Sequence, residues 1–429
     1  MPSKKKSPTK FYEMSREQRL KFLKKFAKLS NEDIKALRSG TISFGTANSM
    51  VENVIGVTAY PLGVATNFLI NGKDYLIPMA IEEPSVIAGA SKAAKIARAR
   101  GGFTATADDS HMIGQIQVVH LEDPQRGGEM ALQAKERILE TANGKSRTLT
   151  KLGAGAKDLL YRVLDTEQGR MLIVELTVDV RDSMGANIVN TMCEAVAPIV
   201  EEVTGGNVLL KILSNHATKR LARAEAVFGK DQLGGGDVVK NILLAHAFAA
   251  SDQYRCTTHN KGVMNGIIAV ASATGQDTRA IEAGAHSFAC RDGGRYMPLT
   301  HWERDGAGDL VGRIELPLAV GIVGGAASTH PVAKACLRIL GVKSAQELAC
   351  VMASAGLAQN LAALRALVSE GIQKGHMRLH ARNIAMTAGA DGRLIDSVAK
   401  KIADEKNVTL QRAKEVLREL RRKKKRRRR

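Results

Sequence analysis

Aromatic side chains are scarce in this chain: one Trp, six Tyr and nine Phe among 429 residues. A surface that holds nucleic acid by stacking bases on aromatic rings is poorly provided for. Cysteine is sparse too, and Cys193, Cys256, Cys290, Cys336 and Cys350 include no CxxC or other metal-like spacing. Five scattered thiols are not a disulfide framework, and they fit a reducing cytoplasm. No uninterrupted apolar run reaches the roughly 18–20 residues a membrane span requires, and the polar N-terminus lacks a signal-peptide core. Nucleotide motifs are missing as well: no GxGxxG follows a strand, no GxxxxGK[ST] occurs, and LGAGAK (152–157) has glycines at the wrong spacing.

What the chain does have is small residues, 40 of them Gly, and a 44% hydrophobic fraction. That mix permits close helix packing and backbones that approach a ligand, and the length allows two or three domains. The formal charge is +20, of which nine lie in RRKKKRRRR (421–429) and four at Lys4, Lys5, Lys6 and Lys10, leaving +7 elsewhere. Like-charge blocks repel themselves, so 421–429 is expected to be a disordered, solvated tail.

Residues 14–38 carry apolar positions at helical spacing (Leu20, Leu23, Phe26 and Ala27) and read as one amphipathic helix. VTAYPLGVATNFLI (57–70) reads as short strands with a turn, and 85–100 as a helix of small residues. From Ser110 to about Ile212, strand-like runs alternate with helical ones, which suggests a separate α/β unit. Residues 237–289 and 344–374 are Ala-rich and helical in pattern, and a break at Gly375 leads into a helical C-terminal segment.

Several polar clusters can carry chemistry. IEEPSVIAGAS sets Glu82 and Glu83 before Pro84 and a helix, where an acid is ordinarily favoured by the dipole. Held among Ala and Ile, such a carboxyl could also donate a proton. YRCTTHNKGVMNG (254–266) gathers Arg255, His259, Lys261 and Asn265: an arginine suited to a carboxylate clamp and a lysine suited to a developing oxyanion. Asp277 lies in a polar break downstream, able to cap a helix or to pair with a lysine. His376 and His380 share a helical face, but Met377 stands where HExxH needs Glu, so a general acid beside a glycine hinge is favoured over a metal. DVRDSMGANIVN (179–190) opens a helix with small residues, which lets backbone N–H groups meet phosphate.

Together these segments resemble hydroxymethylglutaryl-CoA reductase. ENVIG (52–56), PLGVA (61–65), EEPS (82–85), DSMGAN (182–187), NKGVMNG (260–266), GQD (275–277), GIVGGA (321–326) and GHMRLHARN (375–383) follow that family's order, and the chain looks like its soluble second class. The resemblance implies reductive deacylation of hydroxymethylglutaryl-CoA to mevalonate and CoA with two reduced nicotinamides and no metal. Glu83 would donate a proton, Lys261 would stabilise the oxyanion, Asp277 would tune that pair, and His376 would protonate the CoA thiolate. Ser85, Arg255 and Asn265 would bind the hydroxymethylglutaryl group. Asp182, Met184, Gly185 and Asn187 would approach the dinucleotide. Where NAD-preferring members carry an aspartate this chain has Ser146, flanked by Lys145 and Arg147, which implies NADPH over NADH.

The implied fold is α/β (α+β). A large domain (1–108 and 216–374) binds CoA substrate and dimerises, and a small ferredoxin-like cofactor domain (109–215) is inserted in it. A helical flap (375–420) precedes the basic tail (421–429). The family's site lies at a dimer interface, so a homodimer is expected. The competing reading, a nucleic-acid-binding protein acting through its basic ends, is disfavoured because that charge is confined to the termini.

Overall fold

The computed structural model describes the backbone of residues 11–291, 293–369 and 372–426 and, of these, every side chain except 372–379, 393 and 423–426. Among the described residues ten strands form two sheets. The larger orders β2 (Lys73–Ala80), β1 (Leu62–Ile70), β3 (Phe103–Ala107), β8 (Leu221–Phe228), β10 (Leu310–Pro317) and β9 (Thr300–Arg304). The smaller orders β5 (Gly155–Thr166), β6 (Gly169–Asp179), β4 (His111–Val119) and β7 (Asn207–Ser214), all antiparallel. In chain order it runs strand, helices, two strands, helix, strand, the split βαβ pattern of ferredoxin-like folds. Alternate residues of β4 are buried, because its helices cover one face only.

The large sheet packs against two long helices, Gln253–Thr274 (the Lys261 helix) and Ala345–Val368 (the Gln359 helix). The Gln359 helix is long and apolar enough to cross a membrane by length and composition, yet it is mostly buried in this core. Small residues let the two helices approach: a Cβ at Gly266 would lie 2.7 Å from the Ala355 carbonyl oxygen and 2.8 Å from Gln359 Cβ.

Four local expectations change. Residues 14–38 form two helices, Arg16–Ala27 and Asn31–Ser39, because Lys28 turns left-handed and Ser30 with Asp33 makes a capping box that starts a new helix. In 57–70 only β1 forms, without an internal turn. Gly375 is no break: it lies inside the helix Ile372–Thr387, while the preceding helix ends at Val368. That helix joins Arg393–Asp404 and Leu410–Arg426 around a core of Ala381, Ala385, Val398, Ile402, Val416 and Leu417. The last helix runs to Arg426, so the backbone of 421–426 is helical where disorder was expected. Residues 427–429 lie outside the described residues.

Candidate active site

The Lys261 helix begins at an Asp252 cap whose carboxylate accepts from the Arg255 N–H at 2.7 Å. From there Arg255, Thr258, Lys261, Gly262 and Asn265 recur at helical spacing and line a cavity of about 400 Å³. The opposite wall is the EEPS turn and the helix after it, Val86–Arg98; the Gln359 helix closes the third side. Lys261 Nζ donates to Glu83 Oε2 at 2.7 Å, and Asn265 Nδ2 donates to the same oxygen at 3.4 Å. The pair is open to solvent, Lys261 being 60% exposed and Glu83 34%.

Ser85 sits at φ +76°, a left-handed conformation unfavourable for a residue with a Cβ. It occupies the N-cap position of Val86–Arg98 but makes no side-chain cap bond. Its hydroxyl therefore stays available on the cavity wall, and the backbone strain accompanies that placement.

A second cluster lies at the other end of the Lys261 helix. Gln276 clasps Gly321 through two bonds of 2.9 Å, Nε2 to the Gly321 carbonyl and Gly321 N–H to Oε1. Ile322 N–H donates to the Asp182 carbonyl at 2.8 Å, and Ala345 N–H donates to Asp182 Oδ1 at 2.8 Å. A Cβ on Gly321 would come within 2.6 Å of the Met184 nitrogen, so only glycine lets these loops touch. Arg220, buried beneath them, donates to the carbonyls of Ser183, Met184 and Val320. Burial lowers its pKa to about 10, against Asp179 and Asp182, so it stays charged at neutral pH. Gly185, at φ +97°, then starts Ala186–Thr204 without a side-chain cap, so the first N–H groups are open to an anion.

The model of the family described as hydroxymethylglutaryl-coenzyme A reductase matches residues 15–381. The chain is 57% identical over 411 residues to the 3-hydroxy-3-methylglutaryl-coenzyme A reductase of Archaeoglobus fulgidus, covering 96% of this chain and 94% of that one. The chain belongs to the hydroxymethylglutaryl-CoA reductase family, class II. A probable reductase of Borreliella burgdorferi is 36% identical over 348 residues, 78% of this chain and 77% of its own. The class II reductase of Streptococcus pneumoniae, solved bound to NADPH in open conformations, superposes with a TM-score of 0.80 at 41% identity, over 95% of this chain and all of that one. As a member of this family the chain is an oxidoreductase that uses a nicotinamide cofactor.

Within one chain this reductase brings only part of the expected quartet together. Glu83 and Lys261 meet, with Asn265, Ser85 and Arg255 around the same cavity. Asp277 does not reach them. It caps the helix Thr278–Phe288 through the Arg279 and Ala280 N–H groups and pairs with Arg279 at 2.9 Å. The Lys261 helix continues for 13 residues beyond Lys261, about 20 Å at helical rise, before the loop that holds Asp277. His376 falls in the helix Ile372–Thr387, but its side chain is outside those described. Ser146 caps the short helix Arg147–Lys151 by accepting from Leu149 N–H at 3.3 Å, with Arg147 exposed beside it. Asp182 is turned toward Ala345, while Asn187 is exposed at the open helix start. Gln359 was not singled out from the sequence, where a glutamine in an Ala-rich helix carries no signal. It lines the cavity with its Oε1 buried and without a partner among the described residues.

Proposed function

We propose that the chain reduces hydroxymethylglutaryl-CoA to mevalonate and free CoA through the cavity at Glu83 and Lys261. The observation that carries this is the Lys261–Glu83 contact of 2.7 Å, with Asn265 on the same carboxylate and Arg255 and Ser85 on the surrounding wall. Arg255 supplies a bidentate clamp for the substrate carboxylate, and Ser85 and Asn265 hydrogen-bond the hydroxymethylglutaryl group. Bound nicotinamide supplies hydride. The thioester oxygen then gains negative charge, which Lys261 stabilises, and Glu83 delivers the proton. His376 protonates the departing thiolate. Two reduced nicotinamides and two protons are consumed for each thioester taken to the alcohol.

The residues of the 182–187 turn fit a dinucleotide. An uncapped helix N-terminus and a glycine without side-chain bulk suit a pyrophosphate. We assign the unit at 109–215 to the cofactor, the parts at 1–108 and 216–374 to CoA substrate, and the helices from 375 to 420 to a flap. NADPH is the preferred cofactor, because the Ser146 hydroxyl next to Arg147 welcomes a 2′-phosphate that an aspartate would repel. The acting form is a homodimer, with Asp277 reaching Lys261 of a second copy. Two features support that: the separation within one chain, and a segment from Phe44 to Leu62 that leaves Phe44, Val51, Ile55, Val57 and Tyr60 exposed. The location is read as cytoplasmic, since all five thiols are unpaired.

The test is nicotinamide oxidation followed by absorbance, with hydroxymethylglutaryl-CoA and with mevaldehyde as substrates. The wild type should turn over both, and His376→Gln should lose only the thioester reaction, because mevaldehyde expels no thiolate. Absence of turnover with hydroxymethylglutaryl-CoA and either reduced nicotinamide would overturn the reading.

A further inference from the structure

Beneath the cavity a buried polar network ties three elements together, and its donors and acceptors can be assigned in sequence. Trp302 on β9 donates from Nε1, which can only donate, to Asn360 Oδ1 at 2.9 Å, so that atom of Asn360 is its oxygen. Thr300 Oγ1 lies 3.0 Å from the same oxygen and must donate to it. His259 Nε2 lies 2.7 Å from Thr300 Oγ1, whose single hydrogen is already directed at Asn360. The imidazole must therefore donate from Nε2, which leaves Nδ1 as a bare lone pair. That Nδ1 is buried and has no partner among the described residues, in a side chain only 1% exposed. A buried acceptor left empty is costly, so the completed site should provide a donor.

Arg255 is the donor at hand. It precedes His259 by one helical turn, the spacing at which side chains meet, and both line the cavity. We propose that His259 is a positioning residue for Arg255, its Nδ1 accepting a guanidinium N–H so that the remaining fork faces the substrate carboxylate. The proposal rests on Arg255 being the carboxylate clamp. Burial, then His246 and then Arg255 push the His259 pKa down to about 3, so the ring is a neutral acceptor at working pH and not a second cation beside the arginine. His246, with ring centroids 6.0 Å away, is the other neighbour; its own Nδ1 is also buried without a partner, so the two rings are not bonded through those atoms.

Two substitutions separate positioning from packing, because the Asn amide reaches the place of Nδ1 and the Gln amide the place of Nε2. His259→Gln retains a donor toward Thr300 but withdraws the acceptor from Arg255. It should raise KM for hydroxymethylglutaryl-CoA about tenfold, with KM for the nicotinamide and the melting temperature little changed. His259→Asn should do the reverse, with a lower melting temperature and a KM rise of less than about threefold. In an Arg255→Ala background, His259→Gln should add nothing further. Equal KM changes in the Gln and Asn variants, or a full additional effect in the Arg255→Ala background, would overturn the proposal, as would a KM rise in His246→Phe matching that of Gln. If Arg255→Ala itself leaves KM unchanged, the clamp assignment fails instead, which distinguishes the two.

Discussion

The Lys261 cavity and the Asp182–Gly321 seam are built in opposite ways. At the cavity the ionised groups are half open to water, joined by one ion pair, and ringed by side chains with polar atoms to spare. At the seam almost every polar atom is engaged: Arg220 serves three carbonyls, Gln276 clasps Gly321 twice, and Asp182 receives the first N–H of the Gln359 helix. A reacting centre needs vacant valences for substrate, whereas a joint between two sheets needs none. Residues of the cavity should therefore govern rate, and those of the seam stability and, through the 182–187 turn, cofactor affinity.

The sharpest way to break this contrast is Lys261→Ala. Turnover should fall by at least the roughly 10²–10³-fold seen when one oxyanion donor is removed, while the melting temperature moves little because the side chain is largely solvated. A large loss of thermal stability would put Lys261 among the structural residues.

Mixing comes next. Lys261→Ala and Asp277→Ala homodimers should each be inactive, but unfolding and refolding them together should restore about a quarter of wild-type activity if Asp277 serves the opposite copy, since half the dimers are mixed and each has one intact site. No recovery from two correctly refolded, inactive parents would place Asp277 in its own chain's machinery.

Gly321→Ala tests the seam. The added methyl meets backbone atoms of the 182–184 turn, and backbone cannot swing aside as a flexible side chain can. Overpacking of this kind costs about 1–3 kcal/mol, read as a lower melting temperature, and KM for the nicotinamide should rise more than KM for hydroxymethylglutaryl-CoA.

Ser146→Asp should move the kcat/KM ratio toward NADH by about tenfold, or ~1.4 kcal/mol. Aspartate is as good an N-cap as serine, so the short helix should persist and the change should report on cofactor choice alone.

The last effect is read in acid. His259 and His246 titrate in the fold at about 3 and about 4, below the ordinary value of 6.5. The unfolded chain then binds more protons between those values, so their contribution is intact above pH 6.5 and declines as pH falls toward 3. His259→Asn should flatten that part of a denaturation profile taken against pH, and an unchanged slope would count against a buried neutral ring.

Much of the chemistry was legible before any fold was known. EEPS, YRCTTHNKGVMNG and GQD supply an acid, an arginine, a lysine and an aspartate by type and spacing, and the alternation in 110–212 marks a second sheet. The break at Gly375 was misread because glycine weakens a helix without forbidding it, and packing of Ala381 and Ala385 in a three-helix core overrides that local penalty. The division of 14–38 into two helices was readable in the Ser30–Asp33 box, a cue outweighed by the apolar periodicity around it.

Residue type and order by themselves determined which functional groups this reductase commands, because a carboxyl, an ammonium and a guanidinium carry their chemistry wherever they are placed. Only the tertiary structure decided where each one acts. It set Asp277 a helix length from Lys261, turned the Asp182 carboxylate to a backbone N–H, and selected the tautomer of His259 through Trp302, Asn360 and Thr300. Those outcomes depend on distances and hydrogen-bond directions between segments far apart in the chain, and local pattern carries neither.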